Sequence, residues 1–314
     1  MEAFASSGSA MVVILVAVAL GYLVRKLNYV DDDFDSKLSK IVMTVACPAL
    51  VIDSVLSNTD LPDSIVIWQV LGVSVILFAV ALVLALIVPR LYPLPKEKRG
   101  GHAFTILMSN VGFMGFAVCD AIMGSDSVLY VAIYNIISNL VLFSIGAWMV
   151  SSTGTASLSR KEQLTTMRKN LLSPVMIACI ASLVLALLHV TDDGVVGQTF
   201  DFVGSMTAPA AMIVIGSTLA KYKVRDMLGN GWAYVTTFVR LIIVPAAVYA
   251  VGSLFIADAY LLATLTLVAA MPAAMVGVIM GVTYGGDLKT LSQCMFLTTV
   301  LSVLTIPLVA AVVL

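Results

Sequence analysis

The chain is 314 residues long, and its 17 basic and 18 acidic side chains leave a formal net charge of −1. Charged residues make up 11% and the AVILMFWYC set 61%, with a mean hydropathy of +1.06, whereas a typical soluble domain is about 25% charged. This balance argues against a soluble enzyme or a nucleic-acid binder and excludes a disordered chain. What remains is an all-α polytopic membrane protein, since one span takes about 20 apolar residues and the length accommodates roughly ten.

Apolar stretches predict spans at 8–26, 37–57, 65–88, 102–123, 127–150, 171–190, 198–220, 231–255, 259–284 and 288–313. The opening MEAFASSGSA has no Lys or Arg. A cleavable leader carries a positive n-region, so residues 9–26 read as a retained first helix. Cys47, Cys119, Cys179 and Cys294 each sit inside an apolar run, far apart in sequence. They read as small buried hydrophobes, with no metal-ligand spacing.

Loop charge predicts the orientation. Arg25, Lys26, Lys37 and Lys40 flank loop 1–2, and Arg90, Lys96, Lys98 and Arg99 fall in loop 3–4. Loop 5–6 has Arg160, Lys161, Arg168 and Lys169, loop 7–8 has Lys221, Lys223 and Arg225, and loop 9–10 has Lys289. Every basic residue except Arg240 is therefore on an odd-numbered loop. The positive-inside rule puts those loops in the cytoplasm and both termini outside, in a multi-pass plasma (inner) membrane protein.

An internal repeat is legible. "ACPALVI" at 46–52 matches "TAPAAMI" at 207–213, an offset of 161, and "SNVGFMG" at 109–115 falls on "MPAAMVG" at 271–277, an offset of 162. Five spans cross the membrane an odd number of times, so the second copy is upside down. This gives residues 1–150 as one five-helix repeat, 151–170 as a cytoplasmic connector and 171–314 as the inverted copy. Such inverted repeats are the architecture of secondary transporters.

Spans 4 and 9 occupy equivalent places in the two halves, and both carry helix breakers: Asn110 and Gly112 in one, Pro272 in the other. Pro removes an amide donor, and Gly and Asn are poor mid-helix residues. Unwound backbone at membrane depth has to line a cavity or lie buried in protein. Each break starts a new half-helix, near residues 113 and 273. The two positive N-terminal ends point at the crossing, which suits an anion or a carboxylate.

Polar residues at depth complete the candidate site. Arg240 lies eight residues past Trp232, about 12 Å in, at the depth of the span-4 break. A guanidinium there holds a substrate carboxylate, caps the carbonyls of a broken helix or pairs with an Asp; it is taken here as a substrate-binding candidate. Asn135 and Asn139 are four apart on one face of span 5 and join the set with Asn110, Gly112 and Pro272. Asp120 on span 4 and Gln293 and Thr298 on span 10 are candidates for coupling or polar lining. Asp53 and Asp201 reach toward the outer interface, and His102 and His189 read as interfacial residues at helix ends. No nucleotide-binding, zinc-hydrolase or serine-hydrolase motif is present, and neither histidine has a partner in sequence for an intramembrane enzyme. No catalytic residue, metal or cofactor is expected.

"LGYLVRKL" (20–27), "KLSKIVMTVACPALV" (37–51), "NVGFMGF" (110–116), "YNIISNLVLFSIG" (134–146), "RLIIVP" (240–245) and "MPAAMVGVIMGVTYGGD" (271–287) together resemble the auxin efflux carrier family, in its bacterial branch of malonate or malate permeases. The resemblance runs along essentially the whole chain. It implies ten helices, with 1, 2, 6 and 7 as a scaffold and 3–5 and 8–10 as a transport domain in which helices 4 and 9 cross. The sodium–bile-acid symporters share that plan. One position departs: members often have Pro after the Gly-Phe of span 4, and this chain has Ala117. The expected function is alternating-access transport of a small organic anion, such as malate, malonate or an auxin-like acid, held at the crossing. The alternative is proton- or sodium-coupled symport of a larger amphipathic anion. The expected partners are that anion, the lipid bilayer and a second copy joined through the scaffold helices, with no nucleic acid.

Overall fold

The computed structural model describes residues 2–58, 61–151, 160–192 and 194–314. Among them there is no strand, and helices occupy every apolar stretch. In chain order these are α1 (Glu2–Lys26), α2 (Asp32–Leu56), α3 (Ser64–Arg90), α4a (Lys96–Leu107), α4b (Val111–Met123), α5 (Asp126–Ser151), α6 (Pro174–Leu187), α7 (Val195–Lys221), α8 (Gly231–Gly252), α9a (Ala259–Ala269), α9b (Val276–Tyr284) and α10 (Leu288–Val313). Helices α2, α3, α5, α7, α8 and α10 are long and apolar enough to cross a membrane, and α4b, α6 and α9a are shorter apolar helices. The chain is thus a multi-pass membrane protein.

Local chemistry sets several starts. The Asp31 and Asp287 carboxylates accept the Phe34 and Thr290 amides at the heads of α2 and α10, and Asp258 accepts those of Tyr260 and Leu261 at α9a. These N-caps satisfy amides that a helix leaves unpaired in its first turn. The predicted connector 151–170 includes a separate helix, Arg160–Leu171, and Pro174 starts α6 at a position where its missing N–H costs nothing. Residues 152–159 of the connector lie outside the described residues.

A close backbone approach joins α1 to the second half of α7. A Cβ on Gly216 would lie 1.9 Å from the Val18 carbonyl oxygen, and one on Gly21 would lie 2.2 Å from that of Ile213. Helices in lipid gain little from hydrophobic burial, so such backbone contact through small residues is what holds them. The same two helices are clamped to the start of α2 at their basic-loop ends: Arg25 and Lys221 share Asp32 and the buried Asp35, with Lys221 Nζ 2.8 Å from Asp35.

Four of the helices contain a π-helical turn, at Val42–Ala46, Val111–Gly115, Leu142–Gly146 and Val239–Ile243. His102 is placed differently from the sequence expectation. Helix α4a starts at Lys96, so His102 falls in its second turn and is completely buried, with Nδ1 2.7 Å from the Thr236 hydroxyl of α8.

Candidate functional site

The interruptions in α4 and α9 meet. Met108 is extended (φ −99°, ψ 112°) and helical geometry resumes only at Val111; in α9 it is lost between Ala269 and Val276. The two open segments pair antiparallel through Ser109 and Ala273. The Asn110 amide donates to the Pro272 carbonyl at 2.9 Å, and the Ala274 amide donates to the Met108 carbonyl at 3.0 Å. The Ala273 amide donates to Thr298 Oγ1 at 3.2 Å, and that hydroxyl donates to the Cys294 carbonyl at 2.8 Å. Buried backbone outside a helix needs such partners, and here each break supplies them to the other.

Arg240 supplies the rest. It sits in the π turn of α8 with 1% of its surface exposed. Nε donates to the Met271 carbonyl at 3.2 Å, Nη1 to Ile106 at 3.0 Å, and Nη2 to Ala269 at 2.7 Å and Met271 at 3.0 Å. Ile106 and Ala269 lie at the C-terminal ends of α4a and α9a, where each helix presents about half a negative charge. One guanidinium thus balances two helix ends and their orphan carbonyls. Of the roles open to Arg240, the structure shows the capping of broken-helix carbonyls: all three of its nitrogens donate to backbone, and its side chain does not line the neighbouring cavity.

The cavity, of about 360 Å³, lies against the opposite, N-terminal side of the breaks. Its polar wall is Ser109, Asn110, Asn135, Ser138 and Asn139. Among the described residues the Asn110 side-chain amide has no hydrogen-bond partner, so its oxygen and NH2 group are available. Asn139 Nδ2 donates to the Asn135 carbonyl at 2.9 Å and to Asn135 Oδ1 at 3.0 Å, which orients the pair; Asn135 Nδ2 meets the Cys179 sulfur at 3.6 Å. Met43, Phe113, Phe143, Met176 and Ile279 form apolar walls. Ser39, Asn170 and Ser173 also border the cavity, at the ends of the chain segments that carry Lys37, Lys40, Arg168 and Lys169. Among the described residues no charged side chain lines it. Three of the four π turns contribute to the wall, through Met43, through Val111, Gly112 and Phe113, and through Leu142 and Phe143; π turns often mark functional sites because they turn backbone and side chains out of regular register.

Of the residues singled out in the sequence, the structure gathers Asn110, Gly112, Asn135 and Asn139 around the cavity. Pro272 and Thr298 instead build the paired breaks beside it. Gln293 is elsewhere: its Nε2 donates to the Asp226 carbonyl at 2.8 Å, tying α10 to the loop after α7. Asp120 does not line the cavity either. It lies toward the far end of α4b, with Asp53 and Asp201 as electrostatic neighbours. Ser39, Asn170 and Ser173 were not foreseen. Each is an ordinary polar residue near a helix end, and only packing brings the three together.

The chain matches the model of the membrane transport protein family over residues 7–310. It is 24% identical to an uncharacterized transporter of Methanothermobacter thermautotrophicus over 305 residues, 97% of this chain and 98% of the relative. It is 26% identical to the uncharacterized transporter YfdV of Escherichia coli, with 94% of each chain covered. A candidate malonate transporter of Rhizobium meliloti is 24% identical, with 92% of this chain and 90% of that protein covered. With nearly its whole length matched, the chain belongs to the membrane transport protein family, that of the auxin efflux carriers.

Proposed function

We propose that this transporter carries an organic anion by alternating access, with the anion's carboxylate bound where α4b and α9b begin. One observation carries the reading. The N-terminal ends of two half-helices converge on one polar wall of a largely apolar cavity that no described charged side chain lines, while Arg240 neutralises the opposite, C-terminal ends. The first amides of each half-helix have no partner within the helix, so the electropositive ends are left to the cavity. Asn110, with Gly112 beside it, Asn135 and Asn139 would then supply oriented dipoles, as in transporters built on broken helices.

The architecture proposed with it is ten helices in two inverted five-helix repeats, 1–150 and 171–314, joined by the connector 151–170. Backbone irregularities at one displacement support it. Asn110 and Pro272 are 162 residues apart. The same step carries the turn 42–46 onto 204–208, where α7 is interrupted at 205–206. Helices 1, 2, 6 and 7 would be the scaffold, through which two copies could pair in the plasma membrane. Helices 3–5 and 8–10 would be the moving domain. With basic loops in the cytoplasm and both termini outside, the cavity's border at Ser39, Asn170 and Ser173 would face the cytoplasm.

Cavity shape favours a monocarboxylate with an apolar body over a dicarboxylate. About 360 Å³ with apolar walls and, among the described residues, no cationic side chain suits one charged group and one apolar body. The test is uptake into proteoliposomes of malonate, malate, indole-3-acetate and cholate, with and without sodium and with and without a pH gradient. Saturable uptake of an organic anion is expected, strongest for the amphipathic acids. Dependence on one gradient identifies the coupling ion. Uptake of none of these anions above protein-free vesicles overturns the reading.

A further inference from the structure

A second cavity, of about 210 Å³, opens where the basic-loop end of α3 meets the first turns of α4a and the end of α5. Arg90, Lys96 and Arg99 line it together with Trp148, over a floor formed by Ala85, Leu86, Pro89, Ala103 and Met149. Arg90 and Lys96 are exposed, and no described residue forms an ion pair or hydrogen bond with either side chain. Arg99 is held in place: its Nε donates to the Leu94 carbonyl at 3.0 Å and its Nη2 to the Tyr92 carbonyl at 3.5 Å, which leaves Nη1 without a partner among the described residues. Glu97, the acid nearest in sequence, is exposed and outside the lining.

We infer that this pocket binds the headgroup of an anionic phospholipid, its phosphate held by Arg90, Lys96 and Arg99 and its acyl chains running down the exposed face of α3. Three features fit a lipid and not a free anion. The floor is apolar. Val83 and Ile87 extend from it as exposed apolar residues along α3. Trp148 is exposed at the rim, the side chain that marks the headgroup level of a bilayer. Basic pockets between helices on the cytoplasmic side capture anionic headgroups because two or three cations add their attraction beside an apolar acyl path. The inference requires membrane embedding with this loop at the lipid surface and does not depend on the transported substrate.

The test titrates phosphatidylglycerol into the full-length protein in phosphatidylcholine-doped micelles and follows the melting temperature. Phosphatidylglycerol should raise it saturably. R90Q/K96Q should melt like the wild type in phosphatidylcholine alone but need about 30-fold more phosphatidylglycerol for half the shift, and K96Q alone about fivefold more. K223Q/R225Q removes two exposed charges from another basic loop and should respond like the wild type. An unchanged response in R90Q/K96Q or K96Q overturns the site. An equal loss in K223Q/R225Q shows general surface charge in its place. A full shift with inorganic phosphate alone overturns the lipid assignment.

Discussion

Asn110 and Pro272, 162 residues apart, meet backbone to backbone, the asparagine amide donating to the proline carbonyl at 2.9 Å. Each residue is at the interruption of its own helix, so neither break is an isolated defect: the donor freed in one half satisfies the acceptor freed in the other. Pro272→Ala restores an N–H that can continue α9a toward the Val268 carbonyl. Because an interior proline disfavours a helix by about 3 kcal/mol, the substitution should shift the segment toward helix and lower uptake about tenfold or more at normal expression. Wild-type uptake at normal expression would show that the proline merely kinks α9.

Arg240 should behave as a structural cation. Arg240→Ala leaves the Ile106, Ala269 and Met271 carbonyls without their donor, and hydrogen bonds to a charged group contribute about 1.5–3 kcal/mol each. The melting temperature in detergent should fall steeply, and transport with it. Arg240→Lys keeps the charge but not the planar fork that spans three acceptors, so it should lie between. A variant that melts like the wild type yet has lost anion affinity would return Arg240 to the substrate.

The asparagines should show the opposite pattern, with binding lost and stability kept. Asn135→Ala removes a cavity amide and the Oδ1 acceptor that orients Asn139, which keeps only its bond to the Asn135 backbone carbonyl, whereas Asn139→Ala removes the other cavity amide and leaves Asn135 in place. The first should weaken apparent affinity about tenfold and the second less, with little change in melting temperature. Asn110→Asp adds a negative charge against an anion and should abolish uptake, while Asn110→Ser should only weaken it. Uptake by Asn110→Asp at the wild-type rate would move the anion away from the break.

Orientation is testable on the native background, because Cys47, Cys119, Cys179 and Cys294 are all buried and unpaired. Asp63→Cys, before α3, should react with an impermeant maleimide from outside intact cells. Lys223→Cys, after α7, should react only after permeabilisation. The reverse pattern would invert the topology and put the mouth of the cavity outside.

Much of this protein is determined within short stretches of sequence. An apolar run of membrane length becomes a helix, an Asp ahead of it caps it, and a proline or an Asn-x-Gly interrupts it, all through the backbone chemistry of a few neighbouring residues. That is why the helices and both interruptions are legible, and why Asn110, Gly112, Asn135 and Asn139 stand out as helix breakers or polar residues at membrane depth. Tertiary structure alone decided the partners. The acceptors of Arg240 lie 134 and 29 residues away at Ile106 and Ala269, and a guanidinium bonds whichever oxygens packing brings to it, carboxylate or carbonyl. The same holds for Gln293, drawn to the Asp226 carbonyl, for the completely buried His102, and for Ser39, Asn170 and Ser173, which border one cavity only because α2, α6 and the connector helix converge there. Sequence spacing determines which face of a helix a side chain occupies. What stands opposite that face depends on how the helices assemble.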